Sequence, residues 1–219
     1  MHKRHMHHAP LRETAGMDPL TELARALVPD TGRAMLGIVG PPGVGKSSVV
    51  ERIVAELGSP FAMAVPMVGF HLSNRVLDDL GLRDRKGAIE TFDGDGFVAL
   101  IERLRSPGDA PVLAPAFDRT LDEPVAASIQ VTSATRLVIT EGNYLLDESE
   151  PWTALRRFLD AIWYLDLDDE IRRARLRVRH ERFGRSPEDA ANWVMTVDEP
   201  NARRVAACRY RADRVIAAD

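Results

Sequence analysis

The stretch "GPPGVGKS", residues 40–47, decides the fold of this chain. It has the spacing G-x-x-x-x-G-K-[ST] of a phosphate-binding loop, whose glycines let backbone N–H groups approach an anion closely. An apolar segment at 34–39 precedes the loop and a helical pattern at 47–57 follows it, as such a loop requires. In this motif Lys46 reaches the β- and γ-phosphates, and the Ser47 hydroxyl binds Mg²⁺. The predicted nucleotide-binding residues are Gly40, Gly43, Val44, Gly45, Lys46, Ser47 and Ser48.

Composition limits the classes of protein to consider. The 219 residues, 45% hydrophobic and 28% charged, suit one soluble α/β domain. A net charge of −4 gives no general support for nucleic-acid binding, and no apolar run approaches the roughly 18 residues of a membrane span. A single cysteine, Cys208, fits a reducing, cytoplasmic compartment. We therefore expect no nucleic-acid or membrane partner; the oligomeric state stays open, with a homodimer as one option.

Strand and helix patterns alternate along the chain. Apolar segments at 34–39, 61–67, 136–140, 161–167 and 214–217 predict strands, and a further pair at 112–117 and 125–131 flanks a turn. Helical patterns occupy 18–28, 47–57, 74–80, 95–104, 168–183, 187–197 and 201–210. This alternation predicts a parallel sheet covered by helices on both faces, in a single domain spanning 18–219. The histidine-rich start, 1–17, is predicted to be a disordered tail, either native or left over from cloning.

Two further features extend the predicted nucleotide site. Glu141 ends the apolar strand "LVITEG", at the edge where open α/β sheets bind ligands, so we assign it to Mg²⁺, directly or through water. The helix at 168–183 carries arginines on one face, at Arg172, Arg175, Arg179 and Arg182. Because phosphoryl transfer needs cations over the transferring group, we select Arg175 and Arg179 as lid residues; a solvated stripe is the alternative. The neighbouring His180 is interpreted as a surface histidine.

Several linked motifs resemble the phosphoribulokinase/uridine kinase family, which includes bacterial pantothenate kinase. They are "MVGFHLSNRVLDDLGLRDRKGAIETFD" (67–93), "PAFDRTLDEPV" (115–125), "EGNYLL" (141–146), "RHERFGRSPEDA" (179–190) and "DEPNA" (198–202). The resemblance runs from about residue 36 to residue 204. The motifs are also similar to those of kinases assigned to fructose transport or to nucleosides. It implies transfer of the γ-phosphoryl group of ATP, with Mg²⁺, to a hydroxyl of a sugar, a nucleoside or a pantothenate-like metabolite. It also implies a three-layer P-loop sandwich with a five-stranded parallel sheet, an acceptor-side insertion and an arginine-bearing helical lid.

The resemblance further implies roles for individual residues. Lys46, Ser47 and Glu141 serve ATP and Mg²⁺. The acceptor pocket is predicted to comprise Val68, Phe70, His71, Asn74, Arg85, Lys86, Phe117, Asp118 and Arg119, with Asn143, Tyr144 and Asn201 as weaker candidates. Core packing is the alternative for the two phenylalanines, and helix capping is the alternative for Asn74.

Position 68 departs from the pattern of the family. Its members typically have Asp-Gly-Phe-His at this point, and that aspartate is thought to take the proton of the acceptor hydroxyl; this chain has Val-Gly-Phe-His. One hypothesis is a kinase that transfers phosphate slowly or uses Asp118 or Glu141 as a substitute base. The other is a nucleotide-binding protein with weak or no phosphoryl transfer. A nucleic-acid-dependent NTPase is disfavoured by the acidic charge balance.

Overall fold

The computed structural model describes residues 17–106 and 108–218. Its strands are β1 (Ala34–Val39), β2 (Ala62–Ala64), β3 (Val112–Asp118), β4 (Glu123–Val131), β5 (Leu137–Gly142), β6 (Ala161–Asp166) and β7 (Arg214–Ala217). Five of them form a parallel sheet in the order β2-β5-β1-β6-β7, which confirms the five-stranded parallel sheet that the resemblance implied. Strands β3 and β4 form a separate antiparallel hairpin. The predicted tail, 1–17, lies outside the described residues except for its last position.

The α-helices are α1 (Pro19–Ala26), α2 (Lys46–Leu57), α3 (Asn74–Leu80), α4 (Gly94–Arg105), α5 (Asp169–Arg182), α6 (Pro187–Trp193) and α7 (Glu199–Ala207). Five of these follow a serine or aspartate whose side chain accepts a backbone N–H of the first turn, and they are α1, α3, α4, α5 and α6. Helix α2 has no such cap, since it begins directly after Gly45. Its first N–H groups are therefore available to a ligand.

The sheet has a hydrophobic core on each face. Along β1, Met35 and Val39 belong to one core, while Leu36 and Ile38 belong to the other. Side chains of a strand alternate between faces, so a fully buried strand implies packed layers on both sides of the sheet. One core includes residues of α4 and the hairpin, and the other includes residues of α1 and α2. The predicted three-layer arrangement is therefore confirmed.

Several predicted boundaries are wrong. The strand expected at 61–67 ends at Ala64, and Met67–Phe70 forms a 3₁₀ helix. The helix expected at 187–197 ends at Trp193 and continues as a π-helical turn, Val194–Asp198, which leads directly into α7. Helix α7 itself begins two residues earlier than predicted and ends at Ala207. Another 3₁₀ helix, Trp152–Arg157, was missed because its short pattern lacks a helical period.

No helix within 17–106 and 108–218 is both long and apolar enough to cross a membrane.

Candidate nucleotide and acceptor site

The loop after β1 has the backbone of an anion-binding loop. Gly43 and Gly45 have φ values of 84° and 97°, in the left-handed region that favours glycine. At Gly40 a β-carbon would lie 2.8 Å from the Leu165 carbonyl oxygen, so only glycine lets the loop pass the end of β6. These requirements explain the glycine spacing of the motif and leave the N-terminus of α2 facing outward.

Lys46 lies at the start of α2 with its ammonium group held inside the loop. Its Nζ donates to the carbonyl oxygens of Gly40 (2.8 Å) and Pro41 (3.2 Å), and to Oδ1 of Asn143 (2.7 Å). Burial lowers the Lys46 pKa to about 8, although the nearby Glu141 carboxylate acts in the opposite direction. Asn143, predicted for the acceptor pocket, thus contacts the lysine of the phosphate loop. The order of the sheet explains this contact, since β5 lies beside β1.

Two oxygen groups suited to Mg²⁺ meet at the carboxyl ends of β1 and β5. The Ser47 hydroxyl donates to Oε1 of Glu141 at 2.9 Å, and the Glu141 side chain is buried. Magnesium is typically bound through one or two protein oxygens, with substrate phosphates and water completing its shell. The described residues include no cluster of three or more His, Cys, Asp or Glu suited to a metal, so an all-protein metal cage is absent there. A hydroxyl and a carboxylate next to the phosphate loop fit Mg²⁺ held together with a nucleotide.

Helix α5 places two arginines over the phosphate loop. Arg175 and Arg179 line a cavity of about 190 Å³ together with Lys46 and Ser47. Burial lowers the pKa of Arg179, with Arg119 acting in the same direction, while Asp198 and Glu141 oppose the shift. The two arginines therefore face the same cavity as the residues of the phosphate loop. Arg182, at the last turn of the helix, is exposed.

Arg172, on the same helix, has a different role from its neighbours. It is fully buried, pairs with Glu199 of α7 and Asp169, and donates to the Pro42 carbonyl oxygen at 3.4 Å. It thereby joins three separate parts of the site, the phosphate loop, α5 and α7. The helical spacing of the arginines gave no signal for this, because burial depends on what α5 packs against.

His180 connects α5 with the π-helical turn that precedes α7; these elements together are called the lid. Its Nε2 lies 2.7 Å from Oδ2 of Asp198, in the π-helical turn, and its side chain is 16% exposed. The interpretation of His180 as a surface histidine is therefore wrong. Asp198 belongs to the "DEPNA" motif, so this pair connects the two motifs that the sequence presents separately.

The acceptor-side segment, Met67–Phe70 and His71, is enclosed by two neighbours. A β-carbon on Gly69 would collide with the carbonyl oxygen of Pro115 in β3. A β-carbon on Gly142, next to Glu141, would lie 2.6 Å from the β-carbon of Met67. The segment is thus packed between the hairpin and the carboxyl end of β5. Val68 lies within the 3₁₀ helix and not at a strand end.

His71 directly follows this 3₁₀ helix. Its Nδ1 lies 2.8 Å from the Val68 carbonyl oxygen, and its ring packs between those of Phe92 and Phe117, with centroid distances of 4.0 and 5.0 Å. Burial lowers the His71 pKa to about 4, so the ring is neutral at pH 7. Phe117 therefore has a packing contact with a predicted site residue. Phe70 packs against the core through Phe97, with ring centroids 5.2 Å apart.

Asn74 and Lys86 are engaged with the tip of the hairpin. The Lys86 ammonium donates to Oδ1 of Asn74 (2.6 Å) and to Oδ2 of Asp122 (2.8 Å). Glu123 accepts from the Asn74 backbone N–H at 2.9 Å. These two predicted acceptor residues thus hold the start of α3 against the hairpin.

The remaining predicted acceptor residues are dispersed. Asp118 and Arg119 lie at the exposed tip of β3, where Asp118 Oδ1 accepts from two backbone N–H groups of the turn. Arg85 is exposed and pairs with Glu90. Tyr144 is 1% exposed, and its hydroxyl donates to the Gly87 carbonyl oxygen at 2.7 Å, which favours packing over ligand contact. Asn201 is buried in α7.

A second cavity, of about 360 Å³, was not predicted. It lies between the phosphate loop at Pro41, the N-terminal turn of α5 at Asp168 and Arg172, α7 at Arg203, and Arg209 just after α7. No single motif marks it, because its walls come from three segments that are distant in sequence. It continues the phosphate loop on the side away from the acceptor segment.

Comparison with known proteins agrees with this geometry. A family profile described as methylmalonyl Co-A mutase-associated GTPase MeaB matches residues 11–63, which include β1 and the phosphate loop. The Schizosaccharomyces pombe protein named "Putative uridine kinase C227.14" is 33% identical over 176 residues, 77% of this chain and 75% of that protein. The Aspergillus versicolor "ATP-dependent kinase-like protein notR'" is 37% identical over 145 residues, 62% of this chain and 84% of that protein. The chain belongs to the uridine kinase-like family of P-loop kinases.

A solved structure extends this similarity over nearly the whole chain. The "putative fructose transport system kinase" from Silicibacter sp. TM1040 is 36% identical, with a TM-score of 0.81 over 92% of this chain and all of that chain. The likeness to this structure therefore extends well beyond the phosphate loop. The MeaB match, in contrast, ends within β2 and therefore covers only the phosphate loop and the elements next to it in sequence.

Proposed function

We propose that this chain transfers the γ-phosphoryl group of ATP to a hydroxyl group of a small metabolite, with Mg²⁺ as cofactor. One observation carries the proposal: Arg175 and Arg179 of α5 face Lys46 and Ser47 across a single cavity. A lysine from the loop and arginines from a lid are the cations that phosphoryl transfer requires on both sides of the transferring group. The separate acceptor-side segment supplies a place for a second substrate.

Each group has a distinct task in this proposal. Lys46 exchanges its carbonyl partners for phosphate oxygens, and Arg179 neutralises charge that develops on the equatorial oxygens. Ser47 and Glu141 would hold Mg²⁺, which would supply charge neutralisation and orientation of the phosphates. The cavity beside Pro41 accommodates the nucleoside, since it adjoins the loop opposite the acceptor side.

The acceptor is proposed from chemistry and from relatives. Uridine and D-fructose are suggested by the names of the similar proteins, and pantothenate is suggested by the sequence resemblance. All three offer a primary hydroxyl on a compact polar molecule.

The test measures ADP release from ATP and Mg²⁺ with uridine, D-fructose and pantothenate, each followed by a search for the product with one added phosphate. We expect one acceptor to raise ADP release above the acceptor-free rate and to give the phosphorylated product. Lys46→Ala should remove both signals. Arg52→Ala is the matched control, since it removes an exposed cation from the same helix and should leave the rate unchanged. ATP binding without turnover for water or any acceptor would instead support a nucleotide-binding protein.

A further inference from the structure

Transfer to a hydroxyl releases a proton, so the acceptor side needs a group that can take it. Residue 68, a valine, has no such group. The carboxylates around the segment have other partners: Asp118 caps the hairpin turn, Asp122 pairs with Lys86, and Glu123 accepts from the Asn74 backbone. Each of these carboxylates thus has a contact that helps to hold the hairpin or α3 in place. The imidazole of His71 is the other proton acceptor within the segment 67–71.

The hydrogen bond of His71 fixes which of its nitrogens carries the proton. A backbone carbonyl oxygen can only accept, so Nδ1, 2.8 Å from the Val68 oxygen, must be the N–H. In a neutral imidazole the other nitrogen then has a free lone pair. Nε2 of His71 has no hydrogen-bond partner within the described part of the chain, yet it is not among the fully buried side-chain atoms there that lack a partner, so part of its surface is accessible. It is therefore open to a ligand as a hydrogen-bond acceptor.

Packing fixes the place of this nitrogen. The ring is held between Phe92 and Phe117, and the backbone of residue 71 forms a bridge with Phe92. The preceding turn packs on β3 at Gly69 and on the carboxyl end of β5 at Gly142. A rigidly held imidazole thus lies at the end of a segment whose first residue, Met67, packs on Gly142, next to Glu141.

We propose that Nε2 of His71 accepts the proton of the acceptor hydroxyl during phosphoryl transfer, an inference that rests on the proposed function. The hydroxyl oxygen forms a bond to the γ-phosphorus while the bond from that phosphorus to the β,γ-bridging oxygen breaks. ADP leaves with the electron pair of the broken bond. The proton moves from the hydroxyl to Nε2, giving an imidazolium that returns it to solvent.

The surroundings of His71 suit this task. Burial is the main cause of a pKa of about 4, with Lys86 and Arg119 acting in the same direction and the Val68 carbonyl and Asp122 opposing them. The ring is therefore unprotonated at neutral pH. An ordinary aspartate has a pKa of about 3.9, so this imidazole is about as basic as a carboxylate would be. The imidazolium is also a strong enough acid to release its proton readily.

The test is a double-mutant cycle at positions 68 and 71. In a 3₁₀ helix, side chains three residues apart lie above one another, so an aspartate at 68 would stand beside residue 71 and provide a second base. Four proteins are compared: the wild type, His71→Asn, Val68→Asp and the double variant. Asparagine keeps an amide donor close to the position of Nδ1 but cannot take a proton. The acceptor is the best of uridine, D-fructose and pantothenate, or water if none exceeds the acceptor-free rate.

We expect His71→Asn to lower kcat by about 100-fold or more in the wild-type background, and by less than about tenfold with aspartate at 68. An equal loss in both backgrounds, or a rise in the acceptor KM at unchanged kcat, would show that His71 only binds or positions the acceptor and would overturn the inference. So would a full loss of turnover in Asp118→Asn with none in His71→Asn. The melting temperature of every variant is measured to detect a folding defect, and His71→Gln is a second substitution in case His71→Asn does not fold.

The result separates the two proposals. If the wild type turns over and the cycle is additive, only the role of His71 falls. If no variant releases ADP although ATP and Mg²⁺ raise the melting temperature, the kinase proposal falls, and the role of His71 falls with it.

Discussion

Removal of the Glu199 carboxylate should destabilise the whole lid, and the structure gives the magnitude. Glu199 is buried and pairs with the fully buried Arg172, whose guanidinium also contacts Asp169 (3.0 Å) and the Pro42 carbonyl oxygen (3.4 Å). Breaking a buried ion pair by removing one partner costs about 3–5 kcal/mol, because the other charge stays buried. Since Asp169 still faces Arg172, we expect Glu199→Ala to cost about 3 kcal/mol, at the lower end of that range.

For a chain of this length, each kcal/mol lowers the melting temperature by about 2–4 °C, so Glu199→Ala should lower it by roughly 6–12 °C. Thermal and urea unfolding, each with and without ATP and Mg²⁺, provide the measurement. Glu199→Gln should lose less, because the amide oxygen still accepts a hydrogen bond from Arg172. The stabilisation by ATP should also shrink in Glu199→Ala, because Arg172 joins α7 to the phosphate loop.

Asp166→Ala is the matched control. Its carboxylate lies 2.7 Å from Arg209, but both side chains are about half exposed. Exposed pairs contribute at most about 1 kcal/mol, so its melting temperature should fall by no more than about 4 °C. If Glu199→Ala melts within about 3 °C of the wild type, or no lower than Asp166→Ala, the argument that Arg172 depends on Glu199 is refuted.

Three further predictions concern the site itself. Gly69→Ala should destabilise the protein and slow turnover, because its methyl group collides with the Pro115 carbonyl oxygen; an unchanged melting temperature would show that the segment can move aside. Affinity for ATP, measured by titration calorimetry, should fall as pH rises through about 8, because Lys46 then loses its charge; a flat profile to pH 9 would contradict this. Arg179→Ala should lower kcat about 10²–10³-fold in the coupled ADP assay with little change in folding, whereas wild-type turnover in this variant would show that Arg179 does not act on the transferring group.

The sheet and the phosphate loop could be predicted because local sequence determines them. Each central strand is an apolar run that needs burial on both faces, and the glycines of the loop are required by its own backbone. The contact between Lys46 and Asn143 could not be predicted in the same way. It depends on β5 lying next to β1, although about a hundred residues separate the two in sequence.

In the lid, too, local sequence predicted some features, while others depend on tertiary contacts. Helical spacing correctly placed Arg175 and Arg179 on one side of α5, but it could not tell that Arg172 is buried. Burial of a charge depends on a partner from elsewhere, here Glu199 at the start of α7. The "DEPNA" motif contains that partner and also Asp198, the partner of His180, so its importance lies in pairing with α5. The sequence indicated the motif without indicating what it contacts.

The segment at 67–71 shows why a missing acid need not mean a missing function. Its apolar pattern predicted a strand over 61–67, ending directly before Val68. Tertiary packing instead requires a tight 3₁₀ turn there, because Met67 packs on Gly142 and Gly69 packs on Pro115. That turn places the Val68 carbonyl oxygen where it receives Nδ1–H of His71, and it thereby leaves the second nitrogen of the ring open. The backbone of residue 68 thus orients a neighbouring base even though its side chain offers none, which is why the chemistry of this site depends on the conformation of the turn as much as on the residue at position 68.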